Sequence, residues 1–298
     1  MASGSDLSQR ARRLASVLEP VIGQVYFSPE CHANYATLGF DPSPGSAGGV
    51  ALPDGPAYFT SRGSVMGQVA GDVVAAAFAV FNPAVVVPLV ELGWQRTDAP
   101  TICQARTDGA VAQLRRILGD DPAGLERAVD LLRRATEPLR PEGRPLYAGV
   151  RSLGVPAEPL AAMWRLGDQL REYRGDSHTM AWSVAGFDAT EIGLLTELYW
   201  GLSMRTYART RAWSEADFDA AAHRLRSRGL VEGDTFTATG REAREAIEVA
   251  TDEQMRPALD SLGDDVEELC SILEPWGAAI RTGGGYLASG PHDLGGRR

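Results

Sequence analysis

The sequence predicts a mainly helical protein built from two similar halves that clasp as a pseudo-dimer, with small β-wings. Three observations predict it. Short segments recur in the same order at similar offsets, and apolar residues keep helical spacing almost throughout. Only the stretch 231–239 carries a β signal, a short hairpin around Gly233-Asp234. Glu30-Cys31-His32-Ala33-Asn34-Tyr35 leads on to Gly39-Phe40-Asp41, much as Asp176-Ser177-His178-Thr179-Met180-Ala181 leads on to Gly186-Phe187-Asp188. Leu118-Gly119-Asp120-Asp121 returns as Leu262-Gly263-Asp264-Asp265. The offsets are 146, 147 and 144, close to half of the 298 residues, and both Asp72 to Trp94 and Glu191 to Trp213 span 22 positions. The expected units are a degenerate first repeat at 1–140 and a second at 150–289, with its winged helix at 190–247. Residues 138–145 read as the linker, and 290–298 as a flexible tail.

Each element has its own signal. Leu7, Ala11, Leu14, Leu18 and Val21 form one helical stripe behind a Ser5 or Asp6 cap, with Pro20 expected to kink or shorten the helix. Pro29 can open a second helix capped by Ser28, placing His32 near its first turn. Residues 41–56 are rich in Gly, Pro and Ser and read as a loop. Two short apolar helices, 73–81 and 84–92, break at Asn82-Pro83, and 110–118 and 125–132 are amphipathic. In the second half, Leu160, Met163, Trp164, Leu170 and Tyr173 share one helix that should end near Gly175, with a new helix capped by Asp176. Helices over 192–202 and 214–228 follow, then the hairpin, then long helices to about Trp276. The Gly283-Gly284-Gly285 segment is expected to be mobile.

Composition narrows the function. The apolar fraction of 44% is ordinary for a globular protein. The formal charge of −10 disfavours nucleic acid and anionic lipid unless a basic patch is segregated. All 29 cations are arginine, which excludes a Schiff-base lysine and a P-loop lysine. Cys31, Cys103 and Cys270 are odd in number and far apart, so reduced thiols and a cytoplasmic location are expected. No apolar run is long enough for a membrane span, and no signal-peptide pattern opens the chain. Nucleophile-elbow, zincin, dinucleotide-binding and Walker patterns are all missing.

The run Leu225-Arg226-Ser227-Arg228-Gly229-Leu230-Val231, followed by Phe236-Thr237-Ala238-Thr239-Gly240-Arg241-Glu242, resembles the reading head of MarR-like winged-helix repressors over about 35 residues. In such proteins the first run ends the recognition helix and the second leaves the wing for a dimerisation helix. Over most of its length the chain is also similar to an actinobacterial family of helix-turn-helix-like proteins with no assigned reaction, so no catalytic residue carries over. The MarR resemblance implies DNA binding, but the residues argue against it. Glu215, Asp217 and Asp219 occupy the turns that would face phosphates, and the wing carries Glu232 and Asp234. Residues 204–246 hold eight Arg against seven Asp and Glu, which leaves no basic footprint. The corresponding first-half segment has Pro100 where a helix would be interrupted.

His32 and His178 occupy equivalent places in the two repeats, each two residues after a carboxylate, Glu30 or Asp176. If the halves pack about a pseudo-twofold axis, both could line one cavity as acid–base groups, with Asp176 orienting its neighbour. Each could equally cap or pack its own helix start, and a divalent metal is a third reading that the i, i+2 spacing disfavours. His223 and His292 read as solvated. Arg62 and Arg174 are candidate anion clamps, with surface salt bridging as the plainer role. Tyr35 and Trp164 are candidate ligand contacts, Trp164 equally a core residue, and Asn82 is either a cap or a contact.

The expectation is therefore a cytoplasmic protein, a monomer or weak homodimer, that binds or converts a small aromatic or anionic metabolite between its halves. The actinobacterial resemblance implies secondary metabolism. Neither cofactor nor metal is expected, and DNA is not an expected partner. The alternative is a ligand-responsive MarR-like regulator, and a third class is an interaction scaffold.

Overall fold

The computed structural model describes residues 4–288. The tail at 290–298, with His292, lies outside them. The described chain is mainly helical. Helix α1 (Gly4–Gly23) carries Pro20 into its last turn, and Ser5 and Asp6 sit within its first turn rather than at a cap. A 3-10 turn (Gln24–Phe27) leads to α2 (Pro29–Thr37), where Ser28 accepts from the Cys31 N–H as its cap. The segment expected to be plain loop forms a small antiparallel hairpin, β1 (Ser46–Ala47) and β2 (Val50–Ala51), before α3 (Gly55–Gly63). The expected pair of apolar helices is present as α4 (Gly71–Phe78) and α5 (Pro83–Arg96), broken where Asn82 caps α5. Helices α6 (Ala99–Leu118), α7 (Leu125–Thr136) and α8 (Pro145–Ser152) follow. Pro100 opens α6 rather than interrupting a helix, because its missing N–H falls in the first turn, where no partner is required.

The second half begins with α9 (Pro159–Val184), a single helix of 26 residues. The predicted break at Gly175-Asp176 does not occur. The Asp176 carboxylate accepts from the Tyr147 N–H at the start of α8, 3.0 Å away, and so caps a different helix from the one expected. Helix α10 (Ala189–Tyr199) has a full capping box between Asp188 and Glu191. A 3-10 turn (Ala208–Arg211) leads to α11 (Glu215–Ser227), capped by Ser214, and to the predicted hairpin of β3 (Val231–Glu232) and β4 (Thr235–Phe236). Helices α12 (Ala238–Glu253), α13 (Arg256–Leu262) and α14 (Asp265–Thr282) complete the chain. The glycines after α14 are not loose. Tyr286 is buried, and its hydroxyl donates to Glu19.

Three apolar clusters organise the fold. The largest joins α1, α6, α7, α9, α13 and α14 around Leu14, Ile22, Leu114, Leu131, Trp164 and Leu273. A second lies within the α10–α11–hairpin unit around Phe218, Leu225 and Ile247, and reaches Trp182 at the end of α9. A third packs α3, α4, α5 and α8 through Phe59, Val74, Phe78 and Val90. Helix α9 contributes to the first two.

Helix α2 packs closely on α6. A Cβ on Gly109 would lie 2.5–2.7 Å from the Cys31 Cα, N and Sγ atoms. Gly109→Ala should therefore force the two helices apart and lower stability by about 1–3 kcal/mol. An unchanged urea midpoint would show that the two helices have room for the extra methyl after all.

Candidate functional site

Arg171, Gly175, His178 and Trp182 recur at i, i+4, i+7 and i+11, so they fall on one face of α9. Trp182 on that face is buried in the second cluster, whereas Gly175 is exposed and Arg171 and His178 are half-buried. Gly175 is exposed in mid-helix although its neighbours Glu172 and Asp176 are buried. A Cβ there would meet only one Glu172 carboxylate oxygen, at 3.7 Å. Arg62, Arg171 and His178 are surrounded by protein, yet they keep 16%, 19% and 24% of their side-chain surface open. These groups lie deep but remain partly wetted; the surface they share, with Gly175 exposed in its middle, is termed the crevice.

At one end of the crevice sits a charge and aromatic cluster. Arg62, from the last turn of α3, donates to both oxygens of Glu172, at 2.9 and 3.3 Å, and lies 4.6 Å over the Phe78 ring. Arg171 donates to Glu19 of α1 at 2.9 Å and to Glu172 at 2.8 Å. The Tyr26 hydroxyl accepts from Arg171 at 3.1 Å and donates to Glu172 at 3.3 Å. Burial alone would push Glu172 up, but the guanidiniums of Arg62 and Arg171 outweigh it and hold the carboxyl at about 2. Burial pushes the Tyr26 hydroxyl up to about 12, so it stays protonated and able to donate. Tyr58 packs edge-on to Tyr26 at 5.3 Å and meets Phe81 at 5.9 Å.

At the other end, α12 closes on α9. Arg174 donates to Asp252 at 3.0 Å and Glu248 at 3.3 Å, Arg244 to Glu248 at 2.7 Å, and Arg12 of α1 to Asp252 at 2.6 Å. His178 Nδ1 lies 3.0 Å from Thr251 Oγ1. That hydroxyl has one hydrogen, which it donates to the Ile247 carbonyl at 2.8 Å. Nδ1 must therefore carry the ring proton and donate to Thr251, which leaves a lone pair on Nε2. Burial lowers the His178 pKa to about 4; Glu248 opposes the shift, and Arg244 and Arg174 add to it. At neutral pH the ring is an uncharged acceptor in a partly open site, able to take a hydrogen bond or a proton from a ligand.

The unit α10–turn–α11–hairpin has the order of a winged helix. A family model described as a helix-turn-helix family matches residues 11–287. The chain belongs to this helix-turn-helix family. No curated protein and no solved structure matches it. In this helix-turn-helix protein the cations of α11 are tied up locally. Arg224 pairs with Asp188 and Glu191, Arg226 with Asp234, and Arg228 with Glu191. Arg205 and Arg209 pair with Asp219 and Glu215 at the start of α11.

The predicted site residues divide. Arg62, Arg174 and His178 line the crevice or its α12 wall. Asp176 sits on the far side of α9, where burial raises its carboxyl to about 7. It does not orient His178. His32 is buried on α2, with Nε2 3.1 Å from the Tyr26 carbonyl and Nδ1 unpartnered, and burial lowers its pKa. Its preceding carboxylate, Glu30, pairs with Arg116 instead. The two histidines thus have separate partners, and neither is oriented by the carboxylate two residues before it. Tyr35 and Trp164 lie in the core; Trp164 donates to the Ile22 carbonyl. Asn82 caps α5 and also donates to the Ala212 carbonyl at 3.0 Å. No group of three or more His, Cys, Asp or Glu among the described residues could hold a metal. Glu19, Tyr26, Tyr58, Arg171, Glu172, Arg244 and Glu248 were not anticipated as site residues. The dense run 171–176 signalled their helix, but no spacing could name partners from α1, α3 and α12.

Two open depressions lie elsewhere. One of about 590 Å³ on the outer face of α12 is lined by Arg241, Glu242, Glu245, Ala246, Val249 and Ala250. One of about 780 Å³ lies between α10 and α11, beside Asp188, Glu191, His223 and Arg224. Open walls of this kind cover little of a ligand's surface.

Asp176 and His178 make opposite demands over the same pH range. The folded state holds the Asp176 proton up to about pH 7 against an ordinary value of 3.8, so its stabilising contribution is complete below pH 4 and lost as pH rises to 7. The folded state sheds the His178 proton down to about pH 4 against 6.5, so that contribution is present above pH 6.5 and lost as pH falls. His178→Gln should leave stability that declines between pH 4 and 7, by at most about 4 kcal/mol. Asp176→Asn should leave stability that declines from pH 6.5 towards 4. Urea midpoints across pH 4–8 check this; parallel profiles for both variants and the parent would refute the assignment.

Proposed function

We propose that this protein binds, and at His178 could convert, a small molecule in the crevice over α9, on a helix-turn-helix scaffold that no longer reads DNA. The observation that carries the reading is the exposed Gly175 floor, ringed by paired charges, aromatic rings and the open Nε2 of His178. A glycine in an exposed helix interior costs about 0.5–1 kcal/mol relative to alanine. No contact in the protein requires one at this position, whereas a ligand lying against the helix would. The acidic pairing around α11 supports the second half of the reading, because a helix whose arginines Arg224, Arg226 and Arg228 each lie beside a carboxylate gains little from releasing counterions.

In this reading the chain is a duplicated unit. Helix α1, the 3-10 turn and α2 correspond to the unbroken α9, and α6 and α7 correspond to α12, α13 and α14. The first half has no hairpin between α5 and α6, so it is the degenerate copy. The crevice then lies on the seam of a pseudo-dimer, with Arg62 and Tyr26 from one half and His178 and Arg171 from the other. We place the protein in the cytoplasm, as a monomer acting on a metabolite of actinobacterial secondary metabolism. Among the described residues no helix is long and apolar enough to cross a membrane.

A regulator is the second reading. It is favoured by α12, which leaves the hairpin and also carries Glu248 and Thr251 to the crevice, so one rigid helix touches both sites.

Two measurements decide. Thermal-shift screening of a metabolite library should give hits that stabilise the parent protein but not Gly175→Leu, whose side chain fills the floor while improving helix propensity. Hits that stabilise both equally would remove the crevice. A gel-shift with duplex DNA at about 50 mM salt, where non-specific binding is strongest, should show no complex; a retained duplex would favour the regulator.

A further inference from the structure

The guanidiniums lining the crevice are almost all neutralised. Arg62, Arg171, Arg174 and Arg244 each lie against a carboxylate. Arg211 is different. Among the described residues no carboxylate pairs with it, and its side chain hydrogen-bonds only the Tyr207 hydroxyl. Its guanidinium lies 4.5 Å from the centre of the Phe81 ring and 4.7 Å from that of Tyr207. Rings occupy its faces, and its edge donors remain. Phe81 ties this group to the crevice, since its ring lies 5.9 Å from Tyr58, which packs on Tyr26 at 5.3 Å.

The segment that carries Arg211 is held in place at some cost. Ala79, Arg205 and Ala212 adopt positive φ values of 52°, 66° and 61°, a strained region for an L-residue. Asn82 N–H donates to the Arg211 carbonyl at 3.0 Å, the Asn82 side chain to the Ala212 carbonyl, and Trp213 Nε1 to the Val80 carbonyl at 2.9 Å. These bonds clasp the turn between α4 and α5 to the turn before α11. They hold an unpaired fork over an aromatic wall.

We propose that the crevice takes an aromatic monocarboxylate, with its ring among Tyr26, Tyr58 and Tyr207 and its carboxylate forked onto Arg211. The proposal rests on the small-molecule reading above and narrows it. A planar guanidinium edge matches a carboxylate through two parallel hydrogen bonds. The chain of edge-on rings from Tyr26 through Tyr58 to Phe81 offers faces and edges for a further ring. A phosphate monoester fits worse. It brings about −1.5 to −2 charges towards Glu19 and Glu172, and only one free guanidinium is there to meet them.

Calorimetric titration with benzoate, salicylate and trans-cinnamate, against benzamide and phenyl phosphate, tests the class. At least one acid should bind the parent protein, with benzamide and phenyl phosphate weaker by tenfold or more. Arg211→Gln should weaken the acid by tenfold or more and leave benzamide unchanged. Arg211→Lys, which keeps the charge but not the fork, should fall between, and it serves as the second variant if the glutamine protein does not fold. Failure of all three acids to bind, or an acid affinity indifferent to both substitutions, overturns the proposal. Neutral or phosphorylated aromatics that bind best and are blocked by Gly175→Leu would overturn the carboxylate class and leave the crevice standing. Binding of every probe unaffected by Gly175→Leu would defeat the crevice itself.

Discussion

Glu172 is a carboxylate sealed inside a helical protein, and it stays ionised only because Arg62 and Arg171 hold it. An uncompensated buried charge costs about 3–5 kcal/mol, so neither arginine can drift away. The constraint fixes more than one side chain. Arg62 brings the end of α3, Arg171 brings Glu19 and therefore α1, and Tyr26 brings the 3-10 turn. Glu248 has the same role at the opposite end: it pairs with Arg174 of α9, so that α12 stays against α9, and with Arg244 of its own helix. The crevice is what remains between these two clamps. Its walls are ionic and preset, which suits a binding site that does not have to reorganise around its ligand.

The same pairing logic accounts for the reading helix. Arg224, Arg226 and Arg228 are the side chains that would meet phosphates, and each has a carboxylate from its own unit beside it. Exposed pairs of this kind contribute little to stability. Their effect is on the surface potential, which they cancel where a DNA-binding protein would keep it positive. The order of a helix-turn-helix unit is retained, and under the proposed function these pairs are what would keep it from reading a duplex.

Much of the fold was legible because its signals are local. Ser28 and Asn82, read as caps, each accept from a nearby backbone N–H at a helix start, and Ser214 stands where the expected 214–228 helix begins. The hairpin at Gly233 needed only a glycine with positive φ and flanking strand residues. Misreadings arose where a residue's partner is remote. Asp176 looked like a cap for its own helix, but its partner is 29 residues upstream. The glycines at 283–285 looked loose, but Tyr286 is anchored to Glu19 at the other end of the chain. For the candidate site, Arg174 drew attention through the polar run 171–176, Arg62 through the aromatic-then-polar stretch 58–63, and His178 as one of only four histidines. The Arg171–Glu19 pair bridges 152 positions and has no sequence periodicity to betray it. Equating His32 with His178 by position also misled, since one is packed under a 3-10 turn and the other faces a gap.

A helix of 26 residues is about 39 Å long, and α9 is used on every side. One flank carries the ionic clamps and the Gly175 floor, while another meets the start of α8 through Asp176. Adding or deleting a single residue within it would rotate everything beyond by about 100°, swinging one set of partners out of reach of the other. Length changes in relatives that keep this architecture should therefore collect in the connection at 41–54, and the α9 span should tolerate substitution but not insertion.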